Sequence, residues 1–301
     1  MCVCHLPRLT AIGACALLLA TSARPHEKPP PCSASALNIP HRPVNARGAG
    51  AFLDAVEGMS EPERDQSIRG ELMAGNFPDF LRSVKPVSIH ARLPGRNPVR
   101  LTLCVMVDYL SIGSGDDFVL MPMGLNTALA VAGQFGFTLP TRRMVNLIYR
   151  RSPIHMTPQP LPAGDAMRST DYYRRHHTMV SQQRALIGAS PDVLTAGHKK
   201  DLVLTPRLWS QPGRVAIYGW HRSVDMPIQP LSTVHGARYA DYSHGIRLVS
   251  SVVFVNDTPR SIFDVLADRQ LAPLLSDEGA LPELADWVDR AVNGVRPEFG
   301  T

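Results

Sequence analysis

Apolar, strand-like segments occur in two groups along this chain, and three helical segments lie between the groups. The first group comprises Val87–Leu93, Val99–Tyr109 and Phe118–Met121, and the second comprises Asp201–Thr205, Val215–Trp220 and Gly245–Val255. The intervening helices are predicted over Asn126–Phe135, Thr141–Arg151 and Ser169–Ile187. Strands that do not alternate regularly with helices are typical of an α+β domain. We therefore predict an α+β fold, a mixed or antiparallel sheet with helices inserted between two groups of strands.

Two helix starts carry recognisable capping residues. Ser60 followed by Glu63 matches a capping box, in which each side chain bonds the backbone N–H of the other residue, and Pro62 suits a first helical turn. We predict a helix from this point to about Met73. Thr141 follows a Leu-Pro pair, and we predict that it is the N-cap of the helix over Thr141–Arg151.

The first 23 residues match a secretory signal. They begin with a basic segment ending at Arg8, continue with the apolar run Leu9–Ala20, and end in small residues up to Ala23. A spanning helix needs roughly 20 apolar residues, so this run is too short to cross a membrane. We therefore predict a secreted or periplasmic protein whose residues 1–23 are removed. Attachment of a lipid at Cys15 is the alternative.

Residues 24–48 are rich in proline and basic side chains and contain few apolar residues. Such a segment buries too little surface to offset the entropy of ordering, so it predicts an extended linker. Residues 49–301 are predicted to form a single globular domain. Removal of the signal leaves Cys32 and Cys104, which allow at most one disulfide. Cys104 lies in an apolar strand, where cysteine usually serves as a small core residue, and the pairing stays open.

Positive charge is concentrated between Arg142 and Arg184, which contain eight arginines against Asp165 and Asp171. Outside the cytoplasm, such a segment predicts an anionic partner, namely a cell-wall polymer, an acidic glycan or a phospholipid surface. A solvated face of two helices explains the same charges. No nucleic-acid partner is predicted, because the sequence has neither zinc-finger spacing nor aromatic residues interleaved with the arginines.

Half of the domain's histidines lie within residues 197–247, at the ends of predicted strands and in the loops beside them. Histidine exchanges protons near neutral pH, and loops on a rigid scaffold commonly carry catalytic groups. Four residues are predicted to be catalytic: His198, His221, Asp241 and His244. Three more are predicted to bind substrate: Lys200, Tyr239 and Arg247.

The cofactor and the bond-breaking chemistry stay open at this stage. His198, His221 and His235 are candidate zinc ligands by residue type, although no HExxH or HxH motif is present. A metal-free arrangement of histidine, tyrosine and arginine suits proton abstraction on an acidic glycan. His244 has the strand parity of a core histidine, and Asp241 has the parity to pair with Arg247 as a structural ion pair.

Five segments of the chain resemble a family of exported bacterial proteins with no assigned activity. They are DYLSIGSGDDF, LPTRRMVN, AGHKKD, AIYGWH and YADYSHGIRLV. The resemblance covers roughly Gly70 to Gly279 and implies one intact domain in an exported, bacterial setting. It implies no activity, fold or cofactor.

The predicted function is a secreted or periplasmic hydrolase that acts on a cell-envelope or extracellular polymer, with a lyase as the second choice. His221 or His198 would be the general base or a metal ligand, and Asp241 would orient a histidine. Lys200 and Arg247 would hold an anionic group. The alternative is a non-catalytic exported protein that binds an anionic glycan or cell-wall polymer through the arginine-rich helices.

Overall fold

The computed structural model describes Met1, Cys32, residues 39–95 and residues 97–293 of the chain. The predicted signal after Met1 and more than half of the predicted linker lie outside the described residues. Contacts divide the chain into two compact units, residues 1–30 and 31–301, and the second contains every helix and strand given below. No described helix is both long enough and apolar enough to cross a membrane.

Eight α-helices lie within the described residues. They are α1 (Ala49–Val56), α2 (Glu61–Met73), α3 (Leu125–Gln134), α4 (Arg142–Arg151), α5 (Thr170–Leu186), α6 (Ile262–Ala267), α7 (Ala272–Leu275) and α8 (Leu284–Asn293). Both predicted caps are confirmed. The backbone N–H of Ser60 donates to Glu63 Oε2 at 2.9 Å, which closes the capping box of α2. The hydroxyl of Thr141 accepts a hydrogen bond from the backbone N–H of Met144 at 3.2 Å at the start of α4.

Fourteen strands occur in the same part of the chain. The first seven are β1 (Val84–Ala91), β2 (Val99–Met106), β3 (Ser111–Gly113), β4 (Phe118–Leu120), β5 (Phe137–Thr138), β6 (Ile154–His155) and β7 (Thr195–Ala196). The others are β8 (Lys200–Leu202), β9 (Ile217–Ser223), β10 (Met226–Ser232), β11 (His244–Gly245), β12 (Val249–Ser250), β13 (Val252–Val255) and β14 (Thr258–Ser261).

The two groups of strands meet in one six-stranded antiparallel sheet. β2 is its central strand: β1 pairs with it along its whole length, and β12 and β13 pair with it from the second half of the chain. β14 and β5 complete the sheet beside β13 and β12. Because α3, α4 and α5 connect the two groups, the predicted α+β arrangement is confirmed.

A second, four-stranded sheet carries three of the predicted site residues, Lys200, His221 and His244. Its order is β10-β9-β8-β11, and β8 pairs antiparallel with β9 but parallel with β11. The pairing sets Lys200 beside His244 and Asp201 beside Gly245. Since neighbouring residues of a strand point to opposite faces, Lys200 and Asp201 serve two different parts of the structure.

Two features of this sheet differ from the predictions. The strand predicted over Gly245–Val255 is divided among β11, β12 and β13, so it contributes to both sheets. β10, which contains Pro227 and Pro230, lies outside the predicted strands. It is an edge strand. Proline has no backbone N–H to donate, and on the solvent side of an edge strand no neighbouring strand needs that hydrogen bond.

The second half of the predicted linker packs on the domain. Arg42 Nε donates to Asn76 Oδ1 at 2.9 Å, and Arg82 Nη2 donates to the backbone oxygen of Pro40 at 2.7 Å. Cys32 forms a disulfide with Cys104, whose side chain is buried in the core. This segment is therefore not an extended linker up to residue 48. Cys32 is bonded to the sheet through Cys104, and Arg42 is hydrogen-bonded to a loop beside the sheet.

Loss of the disulfide is expected to lower the free energy of unfolding by about 4 kcal/mol, since it closes a loop with a sequence separation of 72 residues. The test is urea unfolding of Cys32→Ser, Cys104→Ser and the double variant under oxidising conditions. The double variant should lose no more than Cys32→Ser, because the first substitution already opens the loop. Two reactive thiols in the oxidised wild-type protein would contradict the pairing.

Candidate active site

The predicted site residues separate into three groups in space. Lys200, Tyr239, Asp241 and His244 lie together with His235 and Trp220 in what we call the Tyr239 cluster. His198 and Arg247 lie in a buried ionic group around Asp108, which we call the Asp108 network. His221 packs on α4, and its ring contacts Tyr149 of that helix and Tyr218 of β9.

The opening of the Tyr239 cluster is formed by the loop between β10 and β11. The rings of His235 and Tyr239 stack in parallel, with centroids 4.0 Å apart and planes within 5°. Both side chains are half-buried, as is Lys200 on the neighbouring strand β8. The ring of His244 lies 5.7 Å from that of Tyr239 and is fully buried beneath it. The cluster therefore has three partly accessible polar groups above a buried base.

Asp241 is the buried carboxylate of this cluster. Its Oδ1 accepts hydrogen bonds from the backbone N–H of Ser243 at 2.8 Å and from the Ser243 hydroxyl at 2.5 Å. Its Oδ2 lies 3.7 Å from His244 Nε2. Neither ring nitrogen of His244 has a hydrogen-bond partner among the residues that the structure describes, although the ring is fully buried. Buried polar atoms are rarely left unpaired, so these nitrogens mark a place where a water or a ligand group belongs.

The environment sets the protonation states of these groups. Burial lowers the pKa of His244 to about 4, and burial also lowers the pKa values of His235 and Lys200. Burial followed by the charge of Asp241 raises the pKa of Tyr239 to about 12. Burial opposes ionisation of Asp241, but His244, the Ser243 hydrogen bonds and Lys200 together hold its pKa below the ordinary value. At neutral pH the cluster thus combines neutral imidazoles, a phenol and a carboxylate with a lysine.

Trp220 holds an unusual backbone conformation beside this cluster. Its φ is +58°, which is rare for a bulky residue and follows the positive φ of Gly219. With this conformation, the Trp220 ring on β9 lies 5.1 Å from Nζ of Lys200 on the adjacent strand β8. The indole N–H is buried without a partner. Backbone strain of this kind concentrates at functional sites, where it orients a side chain.

A layer of tightly packed polar residues supports the cluster from below. Lys199 is buried, and its Nζ donates to the backbone oxygen of Tyr242 at 2.5 Å and to His176 Nδ1 at 3.2 Å. Burial lowers the pKa of Lys199 to about 7, against the opposing charges of two aspartates. Gly245 lies over this layer, and a Cβ there would come within 2.6 Å of both Lys199 Cβ and Tyr109 Cδ1. The close approach of β11 to β8 therefore requires glycine at this position.

The Asp108 network lies on the other side of β8. The buried carboxylate of Asp108 binds Arg184 and lies 3.1 Å from His198 Nε2. Arg247 is fully buried; it donates to the backbone oxygens of Met106 and Thr195. Burial opposes the charge of Asp108, but Arg184, His198 and Arg247 hold its pKa well below the ordinary value.

Tyr109 and Asp201 extend this network toward the sheet. The ring of Tyr109 lies 4.1 Å from the Arg247 guanidinium, and its hydroxyl donates to Asp201 Oδ2 at 3.0 Å. Burial raises the pKa of Asp201 to about 7, and that of Tyr109 well above its ordinary value. The ionisable groups of the network thus contact one another in the interior of the protein.

The predicted roles of Arg247 and His198 require correction. Arg247 is bound to backbone oxygens and an aromatic ring in the interior, so it is not positioned to hold an anionic substrate group. It does not pair with Asp241 either, because β11 is only two residues long and the alternation of faces does not continue from 241 to 247. His198 is fully buried against Asp108, where it completes an internal ion group.

His221 is separate from both groups. Its Nε2 lies 3.0 Å from Asn146 Oδ1, which also accepts a hydrogen bond from the Tyr218 hydroxyl at 2.9 Å. Its ring stacks on Tyr149 with centroids 4.6 Å apart, and burial lowers its pKa to about 4. His221 thus packs between its own strand, β9, and α4, and it is not the general base of the Tyr239 cluster.

The candidate zinc ligands are not assembled into a metal site. His198, His221 and His235 each lie in a different one of the three groups described above. In the described parts of the chain, no three His, Cys, Asp or Glu side chains are grouped so that they could hold a metal ion. The residues present therefore do not fit the zinc centre that their types suggested.

The arginine-rich helices differ from a free basic surface. Six of the eight arginines from 142 to 184 form ion pairs: Arg142 with Asp277, Arg150 with Asp225, Arg168 with Glu61, Arg174 with Asp54, Arg175 with Asp171 and Arg184 with Asp108. A seventh, Arg143, donates to the backbone oxygen of Leu274 at 3.1 Å. The protein's own carboxylates thus neutralise most of the charge that was predicted to attract a polymer.

Several residues of these groups were missed by the sequence analysis. Asp108 had a signal, since an ionisable residue at the end of a long apolar strand is either exposed or paired with charges in the interior. Trp220 had none, because a positive φ follows from the surrounding sheet and not from the residue itself. Lys199 and Arg184 were not predicted to be buried, and their burial depends on β8, β11 and α5 packing together.

Comparison of the chain with protein-family models, with curated proteins and with solved structures finds no match. The resemblance to an exported family therefore stays a prediction, and the chemistry of the Tyr239 cluster is the basis for a function. The cluster offers a half-buried neutral imidazole, a protonated phenol and an ammonium group at one opening. Such a set can accept a proton, donate a proton and stabilise negative charge in the same place.

Proposed function

We propose that this protein is an exported hydrolase that cleaves a cell-envelope or extracellular polymer at the Tyr239 cluster. The observation that carries the proposal is the grouping of three half-buried residues, His235, Tyr239 and Lys200, around the buried Asp241 and His244. These residues come from strand β8, from the loop before β11 and from β11 itself. Both buried ring nitrogens of His244 lack a hydrogen-bond partner among the described residues, which supports a water or a ligand group at this place.

The roles follow from accessibility and protonation. His235 is half-buried and its pKa is lowered by burial, so it is a neutral general base that can take a proton from water. Tyr239 keeps its proton at neutral pH and can give it to a leaving alkoxide. Lys200 is the cation beside them and stabilises negative charge that develops on the substrate. Asp241 and His244 lie beneath and position the Tyr239 ring.

Export is supported by the disulfide between Cys32 and Cys104 and by the signal-like first 23 residues. Disulfides form and persist in the periplasm and outside the cell, and they are rare in a reducing cytosol. An extracellular enzyme meets polymers as its most abundant substrates, which is the reason for proposing a polymer and not a metabolite. The lipid-anchored form through Cys15 is the alternative within this proposal.

The test is a cleavage assay with peptidoglycan and a panel of acidic polysaccharides, followed by the appearance of new reducing ends and new amino groups. The wild-type protein should release fragments from at least one polymer. His235→Ala is expected to lower kcat about 10²- to 10⁴-fold, the usual contribution of a general base, and Tyr239→Phe should lower kcat without unfolding the protein. Thermal unfolding of each variant separates lost catalysis from lost structure.

His90→Ala is the matched control, because His90 is an exposed histidine on β1 that belongs to none of the three groups. It should cleave at the wild-type rate. Release of no fragments from any polymer, or equal rates for His235→Ala and His90→Ala, would remove the proposal.

A further inference from the structure

A groove with unpaired arginines lies between the N-terminal parts of α2 and α3, next to the Tyr239 cluster. Its volume is about 300 Å³, and Arg238 forms part of its wall beside residues of both helices. A smaller hollow shares Arg238 and continues to Ala240. Arg168, whose Nη1 binds Glu61 Oε1 in the groove wall, lies 5.9 Å from the centroid of the Tyr239 ring, so the groove ends next to the Tyr239 cluster.

The carboxylates of this groove are already satisfied. Asp65 Oδ1 accepts a hydrogen bond from the backbone N–H of Gly124 at 2.8 Å, and its Oδ2 accepts one from the Thr127 hydroxyl. Glu61 Oε1 binds Arg168 Nη1 at 2.6 Å. Arg168 therefore neutralises Glu61, whereas Asp65 is bound only by neutral donors. The groove holds the charges of Arg69 and Arg238 against the one carboxylate charge of Asp65.

Two guanidinium groups in the groove have no such partners. Arg69 is half-buried and Arg238 is exposed, and neither forms an ion pair or a hydrogen bond with any described residue. They differ in this from the arginines of α4 and α5, most of which pair with carboxylates. Arginine presents a planar set of donors that matches a carboxylate or phosphate in two parallel hydrogen bonds.

The other polar groups of the groove suit a sugar. The side chains of Gln66 and Asn126 contribute amide donors and acceptors to the wall and have no hydrogen-bond partners of their own among the described residues. Hydroxyl-bearing ligands are recognised by such amides, whereas a carboxylate is recognised by arginine. The combination favours a carboxylate-bearing sugar over a neutral sugar or a free inorganic anion.

We propose that the groove is a subsite for a carboxylate-bearing sugar unit of the polymer, held by Arg69 and Arg238 and adjacent to the unit cleaved at Tyr239. This inference rests on the proposed function and names its substrate class. The carboxylated sugar belongs either to a uronic-acid polysaccharide or to a peptidoglycan strand freed of its peptide, where the lactyl carboxyl is a free carboxylate and no longer an amide. The recognition chemistry of the two sources is the same.

Calorimetric binding of trigalacturonate and of its methyl ester to the purified protein tests the subsite. The acid should bind, and the ester, which keeps the sugars but loses the charges, should bind at least tenfold more weakly. Arg69→Ala and Arg238→Ala should each weaken binding of the acid by about 10- to 100-fold, the usual effect of removing a hydrogen bond to a charged group. A muramic-acid disaccharide is the second probe and distinguishes the two sources.

Arg151→Ala is the matched control, because Arg151 is an exposed arginine of α4 with no ion pair. It should bind trigalacturonate as the wild-type protein does. In the cleavage assay the groove variants should raise KM and leave kcat within about twofold, whereas Tyr239→Phe should lower kcat and leave binding unchanged.

The outcomes separate the two proposals. Polymer cleavage whose KM is unaffected by Arg69→Ala and Arg238→Ala would overturn the subsite and leave the hydrolase intact. Arginine-dependent binding without cleavage of any polymer would keep the subsite and overturn the hydrolase. Equal affinity for the acid and its ester, or no binding of either acidic probe, would also overturn the subsite.

Discussion

Acidification from pH 7 to pH 5 is expected to destabilise this protein steeply and to unfold it within about two pH units. Burial lowers the pKa values of six histidines: His176, His177, His198, His221, His235 and His244. In the unfolded chain each of them titrates near 6.5. Between pH 6.5 and about 4 the unfolded chain therefore takes up protons that the folded protein refuses. The free energy of unfolding falls as the pH falls through this window.

The magnitude follows from proton counting. Each such histidine lowers the free energy of unfolding by about 1.4 kcal/mol per pH unit once its unfolded form is charged. Asp201 acts in the opposite direction, because its pKa is raised to about 7 and the folded protein keeps a proton that the unfolded chain releases above pH 4. Burial lowers the pKa values of His177, His221 and His244 to about 4 and that of His176 well below its usual range. With Asp201 opposing these four histidines, about three net protons per molecule should remain at pH 5, which corresponds to about 4 kcal/mol per pH unit. A domain is typically stable by about 5–15 kcal/mol, so the loss is large.

Urea unfolding at a series of pH values between 7.5 and 4.5 measures this dependence. His221→Gln should reduce the slope by about one proton, because it removes one buried histidine whose pKa is about 4 in the folded protein. His90→Gln, which changes an exposed histidine, should leave the slope unchanged. A net uptake of one proton or none at pH 5 would show that the buried histidines are already charged in the folded protein.

The helix starts and the main strands of this fold follow from local sequence. The capping box at Ser60 and the N-cap at Thr141 need only a few neighbouring residues, and both were predicted correctly. β10 was missed because a sequence does not show whether a strand lies at an edge, where Pro227 is tolerated. The division of the last predicted strand was missed as well, because the turn at β11 depends on its parallel pairing with β8, which is distant in sequence.

The candidate site was predictable only as a stretch of chain. Tyr239, Asp241 and His244 are close in sequence and remain close in space, so their grouping needed no knowledge of the fold. His198 and Lys200 are separated by one residue and yet belong to different groups. Alternation along a strand would place both side chains on one face, but His198 precedes β8 and follows Gly197, whose φ is +108°. A sequence does not show such a break, so it gives no measure of which of the two residues meets a carboxylate such as Asp108.

Replacement of Asp108 by asparagine is expected to cost about 5 kcal/mol, the upper end for breaking a buried ion pair. Asparagine keeps the shape of the side chain and can still accept the hydrogen bond that the backbone N–H of Tyr109 donates to Oδ1 at 2.8 Å. It removes the negative charge shared by Arg184, His198 and Arg247. Arg247 cannot reach water, since it is fully buried and its direct hydrogen-bond partners are backbone oxygens.

Asp225→Asn is the matched control, because Asp225 pairs with Arg150 at the surface, where the two side chains are 61% and 48% exposed. The same substitution there should change the free energy of unfolding by no more than about 1 kcal/mol. Equal unfolding midpoints in urea for the two variants would mean that Arg247 does not depend on the charge of Asp108.

The pH dependence of the Asp108→Asn deficit identifies what replaces the lost charge. Asp201 is the next carboxylate near Arg247, and its pKa is raised to about 7, so it is largely protonated at pH 6 and largely ionised at pH 8. In the wild-type protein its ionisation is opposed by burial, and in the variant the unbalanced Arg247 should lower its pKa. The deficit should therefore be larger at pH 6 than at pH 8, whereas Asp225→Asn should show no such difference. A deficit independent of pH would mean that Tyr109, which lies between Arg247 and Asp201, insulates the two charges from each other.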